Sequence, residues 1–237
     1  LIEFGEAALP NIMRRYPGRL SFDPFGVSPL MPPLAGCGPL LDVIAQIGHV
    51  AHAWVAERLD DTLPAVRLIS VHYYGTVRVP EVLPRLTRRL HDEEPRVANL
   101  AVTTLALYRD DRGFTNVLGH LHARLASPSA NARRHAAKLL ATLGDTSAVP
   151  LLAAIFDRKD KIVYDAVESA LADLTKQRFG PNTKRWLTWW DTHRKMPRAE
   201  WLLEALEGPD ADLRKAAADE LRAASGIDPG FLENGPK

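Results

Sequence analysis

Five segments of the 237-residue chain superimpose on a single hydrophobic anchor, at Leu59, Leu90, Leu125, Phe156 and Leu206. Seven residues beyond each anchor stand Val66, Val97, Ala132, Val163 and Leu213. Eleven beyond stand the mostly small Ser70, Ala101, Ala136, Val167 and Ala217, and fifteen beyond stand Tyr74, Leu105, Leu140, Leu171 and Leu221. Steps of four return to one face of an α-helix, so each segment predicts a helix with a buried stripe. The small residue lets a neighbouring backbone approach closely. Counting back four from the anchors gives Val55, Leu86, Leu121, Leu152 and Leu202, the stripe of a preceding helix. Pro64 and Pro95 fall where a first helical turn tolerates a missing N–H. Gly75, Gly113, Gly144 and Gly208 punctuate the turns. The anchors lie 31, 35, 31 and 50 residues apart. A helix pair of that size cannot bury its own stripe and must stack on neighbours. The expectation is an all-α chain, an α-solenoid of antiparallel helix pairs.

Asp60-Asp61-Thr62-Leu63-Pro64-Ala65-Val66-Arg67 and Gly144-Asp145-Thr146-Ser147-Ala148-Val149-Pro150-Leu151-Leu152 resemble HEAT repeats, and within them the phycobilisome-lyase-like subclass. The resemblance runs through nearly the whole chain and implies a right-handed superhelix. Departures are local. Ala98 and Tyr164 stand where that pattern has an arginine after the valine, and Gly119 where Pro84 and Pro150 set a proline.

A degenerate copy opens the chain at Gly5-Glu6-Ala7-Ala8-Leu9-Pro10. Residues 1–38 therefore read as a truncated first repeat plus a connector, and 39–237 as the repeat array. Pro17, Pro24, Pro29, Pro32, Pro33 and Pro39 forbid a helix through most of the connector. It reads as an irregular segment packed along the array, or as a loop that binds a partner or seals an edge. The 50-residue interval holds an insertion, a Trp-rich helix at about 180–195 carrying Trp186, Trp189 and Trp190. Turn-plus-Trp-helix units of this kind resemble those in HEAT proteins of large bacterial multidomain scaffolds. The turn before it is echoed by Ala224-Ser225-Gly226-Ile227-Asp228-Pro229-Gly230, so the chain reads as an excerpt of a longer array.

Thirty basic against 29 acidic side chains leave a net charge of +1, which gives no bulk attraction to nucleic acid or anionic membrane. No apolar run approaches the length of a membrane span. The single Cys37 excludes an internal disulfide framework and fits a reducing, cytoplasmic setting.

Candidate chemistry is sparse. His49 and His52, or His120 and His122, could start a metal site, but no cysteine or carboxylate joins either at zinc spacing. His52 sits at an inward repeat position. Trp186, Trp189, Trp190, Asp191, His193 and Trp201 resemble the aromatic-plus-acid set with which HEAT-like DNA glycosylases cradle a base. At three- and four-residue spacing, tryptophans more often fill a core. Asp92-Glu93-Glu94 and Asp110-Asp111 stand at helix starts, where acids cap and meet the helix dipole.

The register itself supplies the best candidate. The residue before the anchor is Arg58, Arg89 and Arg124 in three successive repeats, and five before it stand Trp54, Arg85 and His120. These positions share one flank of the stripe, with Arg88 further out, and in the next repeat they become the apolar Ile155 and Leu151. The strip is either arginine stems covering an inter-helix groove or a recognition surface for an acidic or phosphorylated partner segment. With no converging catalytic groups, no cofactor and no metal expected, the chain reads as a non-catalytic adaptor or scaffold module of a larger bacterial protein. It presents its second-helix surface to another protein, and its uncapped repeat ends leave self-association open. The alternatives are a HEAT-like enzyme acting on nucleic acid or a chromophore, and non-catalytic nucleic-acid binding.

Overall fold

The computed structural model describes residues 7–27, 31–156 and 158–226. Gly5 and Glu6 of the first copy, Pro29 of the connector, and the Ile227–Gly230 part of the echo lie outside them. The described residues are all-α, and no strand occurs among them. They form two compact units, divided between Val117 and Leu118.

In the first unit, α1 (Leu9–Met13) precedes the connector, and α2 (Pro39–Ile47), α3 (His52–Arg58), α4 (Pro64–Thr76), α5 (Leu83–Arg89) and α6 (Pro95–Ala106) follow. α7 (Phe114–Leu125) runs across the division. The second unit continues with α8 (Ala130–Thr142), α9 (Val149–Ala154), α10 (Lys161–Thr175), α11 (Thr183–His193), α12 (Arg198–Leu206) and α13 (Ala211–Ser225). Pairing follows the register: α3 packs on α4, α5 on α6, α9 on α10 and α12 on α13. Second helices also pack on second helices, α4 on α6 and α8 on α10.

The predicted stripe is the core. Leu59, Leu90, Leu125 and Phe156 are buried, as are Ser70, Ala101, Ala136, Val167 and Ala217 in the small-residue row. Tyr74, Leu105, Leu140 and Leu171 close the same face. Pro64 and Pro95 open α4 and α6 as first-turn prolines. Gly144 takes a left-handed φ of 70° after α8, which favours a residue without Cβ. Gly75 departs from expectation: it lies inside the last turn of α4, and the chain leaves that helix through the extended Val77. Glu94 caps α6 through the Arg96 N–H, as an acid at a helix start should.

A second regularity joins the helices of a pair. Arg67, Arg133 and Arg214, each eight residues past its anchor, donate from Nη1 to the two carbonyls six and five residues back. These are Asp61 and Thr62, Ser127 and Pro128, and Gly208 and Pro209, all at 2.7–3.0 Å. The guanidinium thus satisfies backbone acceptors in the tight turn that no helix can reach. Arg67 and Arg133 then grip a carboxylate one repeat on, Asp92 and Asp160. The two departures from the pattern remove the clamp: Ala98 has no donor, and the Tyr164 ring packs on Phe156 instead, with centroids 4.8 Å apart.

The connector is irregular but packed. Ser21 N–H donates to the Cys37 carbonyl at 2.9 Å, and Cys37 is fully buried. Arg96 Nη1 reaches the Gly26 carbonyl, and the Pro32 carbonyl lies 2.8 Å from His72 Nε2 on α4. The inserted Trp helix is α11. It packs on α9, and Thr183 Oγ1 donates to the Ala153 carbonyl.

Candidate functional site

On α5, Arg85, Arg88 and Arg89 stand at i, i+3 and i+4, so one helical face carries all three. They converge on Asp60, in the turn between α3 and α4. Arg85 Nη1 lies 2.6 Å and Arg88 Nη2 2.7 Å from Oδ2, and Arg89 Nη2 lies 3.2 Å from Oδ1. Arg89 also reaches Asp92 at 2.9 Å, which links the cluster to the buried Arg67–Asp92 pair. Arg58 takes a separate partner, Asp61, at 3.5 Å. With Glu93, which Arg67 meets at 3.3 Å, the whole network holds five guanidiniums and four carboxylates, but its charge is unevenly placed. Asp92 is spent inward on Arg67, while three guanidiniums share Asp60 on the exposed side.

The electrostatics follow the same division. Burial would raise the Asp60 carboxyl, but the hydrogen bond from Arg88 and the charges of Arg88, Arg89 and Arg85 outweigh it and hold it below the usual value. Asp92 is lowered in the same way: burial opposes, and the Arg67 hydrogen bond and the Glu94 N–H prevail. Both stay anionic at neutral pH. Arg85 and Arg88 each touch Asp60 through one terminal nitrogen, and their side chains remain 39% and 53% exposed. The outward part of each guanidinium fork faces solvent and can donate to a further anion.

The other residues of the predicted strip fall as follows. Trp54 is half-buried on α3, and His120 is exposed on α7. Arg58, Arg89 and Arg124 share a trait expected of equivalent positions: the Nε of each is covered and makes no hydrogen bond among the described residues. The covered Nε places each stem against the protein, and the terminal nitrogens of Arg89 are taken up by Asp60 and Asp92. Leu151 is 40% exposed on α9 and Ile155 is half-buried just beyond it. Only Arg85, Arg88 and Arg89 are brought to one point. The residue that gathers them, Asp60, was not among the candidates. The position directly after the anchor holds Asp60, His91, Ala126, Asp157 and Glu207, so an acid there is common in the register and does not by itself single out Asp60.

Three of the four tryptophans of the aromatic cluster form an interior. Trp186 is 1% exposed and donates from Nε1 to the Gly180 carbonyl at 2.9 Å. Trp189 and Trp201 are buried edge-to-face at 5.0 Å, and Trp201 Nε1 donates to the His193 carbonyl. His193 stacks on Trp189 at 4.3 Å and meets Glu204 at 2.6 Å. Asp191 is exposed and its nearest cation is Arg194 at 3.8 Å. Trp186, Trp189 and Trp201 are therefore covered by their own fold, whereas Trp190 is half-buried, edge-on to Trp201 at 6.1 Å.

His122 bonds Asp145 at 2.5 Å, and burial lowers His52, which meets the Tyr73 ring edge-on. No group of three or more His, Cys, Asp or Glu side chains able to hold a metal occurs among the described residues. No helix among them is long and apolar enough to cross a membrane.

A third feature lies in the second unit, where α8 and α10 pack side by side. A groove of about 530 Å³ runs between them over Ala141, Ala166 and Ala170. Its α8 rim carries Arg134, Lys138 and Thr142, and its α10 rim Asp165, Ser169 and Asp173. His135 beneath the cationic rim is lowered by burial first and then by Arg124, Arg134 and Lys138.

No protein-family model matches the chain, and no curated protein matches it. Among solved structures, a crystal structure of an engineered protein aligns over 95% of this chain and 92% of its own, at 15% identity and a TM-score of 0.37.

Proposed function

We propose that the protein is a non-catalytic interaction module of HEAT-type repeats, an adaptor or scaffold piece working in the cytoplasm, which captures an acidic or phosphorylated segment of another protein. The observation that carries this reading is the convergence of Arg85, Arg88 and Arg89 on the single carboxylate of Asp60. Asp60 holds the three side chains in place before any partner arrives, which lowers the ordering cost of binding. The exposed forks of Arg85 and Arg88 suit the planar, two-oxygen geometry of a carboxylate or phosphate. The recurring turn clamp of Arg67, Arg133 and Arg214 supports the repeat reading, because the same side chain solves the same backbone problem in three pairs.

The test is fluorescence anisotropy with a labelled phosphoserine peptide rich in glutamate, against the wild type and Arg85→Ala/Arg88→Ala. Loss of two forks predicts at least tenfold weaker binding, about 1.4 kcal/mol. Equal affinity for the two proteins, with both folded by circular dichroism, would sink the proposal.

A further inference from the structure

The groove between α8 and α10 has rims of opposite sign, and the rims are in register. Arg134, Lys138 and Thr142 stand nine, thirteen and seventeen residues past their anchor, and Asp165, Ser169 and Asp173 stand at the same three offsets in the next repeat. Each rim is thus a column of i, i+4, i+8 positions on one helix face. Arg134 and Lys138 are exposed and form no ion pair among the described residues. On the other rim, Asp165 is 58% exposed and pairs with Lys161 of its own helix at 3.2 Å; the exposed Asp173 carboxylate accepts from Ser169 Oγ at 3.5 Å, and Lys176 Nζ donates to the Asp173 carbonyl at 2.6 Å. Two cations and two carboxylates therefore face each other across the floor of alanines without closing on one another. Small floor residues keep the helices close and the channel shallow, while the long rim side chains stand at its edges.

The first unit supplies an example of what such a face accepts. Offsets nine and thirteen there are Leu68 and His72 of α4. The connector lies on them: Leu68 is fully buried and shares a cavity with Met31 and Val27, and His72 meets the Pro32 carbonyl. A non-helical stretch of polypeptide thus occupies this register in one unit, and the same register in the other carries the charged groove.

We infer that the α8–α10 groove binds an extended segment of another protein in which acidic and basic residues alternate. Spacing and sign both select it. Rungs four residues apart on a helix are about 6 Å apart. Side chains on one side of an extended strand recur every two residues, about 6.7 Å. An alternating segment laid along the groove therefore sends its acids to Arg134 and Lys138 on the first and second rungs and its bases to Asp165 and Asp173 on the first and third, with Ser169 and Thr142 as polar partners on the remaining positions. A segment of one sign satisfies one rim and is repelled by the other. The inference stands apart from the Asp60 cluster and survives or fails without it.

The experiment uses the whole protein and a labelled peptide of about eight alternating Glu and Lys residues. Its controls are a peptide of the same composition with the Glu and Lys in two blocks, and all-Glu and all-Lys peptides. The alternating peptide should bind at least tenfold tighter than each control. Arg134→Glu/Lys138→Glu should cost at least tenfold, and so should Asp165→Lys/Asp173→Lys. The fourfold variant, with both rims exchanged, should restore binding, because the alternating peptide fits by shifting one residue. All changed positions are exposed, and circular dichroism checks the helices. No binding by the wild type, equal binding of the block peptide, or failure of the folded fourfold variant to recover would each overturn the inference.

Discussion

Arg67→Met keeps the aliphatic stem of the clamp and deletes its charge. Arg67 is 4% exposed; it donates to both oxygens of Asp92 at 2.7 and 2.8 Å and to the Asp61 and Thr62 carbonyls. The Asp92 side chain is 1% exposed, so the change strands a carboxylate that water barely reaches. Breaking such a pair costs about 3–5 kcal/mol. Arg89 at 2.9 Å and the Glu94 N–H at 3.0 Å remain with Asp92, which places the loss at the lower end, about 3 kcal/mol. In urea that moves the midpoint down by about 1 M or more. Arg67→Lys should recover only part, because one ammonium cannot span two carbonyls and two carboxylate oxygens. Arg67→Met/Asp92→Asn removes the stranded charge, and the double-mutant cycle should return a coupling of at least about 1.5 kcal/mol. A single-variant loss under about 1 kcal/mol, or a coupling near zero, would refute the view that the clamp ties one repeat to the next.

The remaining predictions concern pH, the tyrosine buttress and the aromatic interior. Asp60 and Asp92 have folded pKa values below their unfolded ones, so the stability they confer is present above about pH 4 and lost as pH falls through the folded values. Thermal melts should show a steeper acid decline for the wild type than for Asp92→Asn, and parallel profiles would contradict it. The Tyr108 hydroxyl lies 2.9 Å from the Tyr74 and Val77 carbonyls and accepts from the Val79 N–H, so Tyr108→Phe should cost about 1–3 kcal/mol in urea unfolding; a change within error would count against that role. Trp186→Ala should cost about 3–5 kcal/mol, as large-to-small core changes do, whereas an exposed indole would cost almost nothing.

How far the residues announced this structure depends on the range of the contact. Helix periodicity is local, so the stripe from Leu59 to Tyr74, the proline starts of α4 and α6, and the extent of the Trp helix could all be read along the chain. The arginine after the valine was visible as a pattern, but its work was not: its acceptors are carbonyls in a turn and a carboxylate 25 residues on. The same limit hid Asp60. Helical geometry puts Arg85, Arg88 and Arg89 on one face, yet it cannot say that a turn 25–29 residues earlier swings a carboxylate into their midst. Register arithmetic aligned Arg58, Arg89 and Arg124 correctly as equivalents. Register alone leaves open both the covered stem and the exposed recognition surface, and does not say that the exposed charge falls to Arg85 and Arg88. Packing decides that, through which side chains the neighbouring helices overlay. The charged groove was legible in principle, since its rims share three offsets, but only once α8 and α10 were known to lie together.

The most direct measurement is a titration of the isotope-labelled protein with the glutamate-rich phosphopeptide, read at the arginine Nε–Hε signals. The account predicts saturable shifts at Arg85 and Arg88, a smaller one at Arg89 whose Nε is covered, and none at Arg112 or Arg194 on other surfaces. Shifts spread over all exposed arginines, or confined to residues away from Asp60, would contradict the claim that this cluster is the partner site.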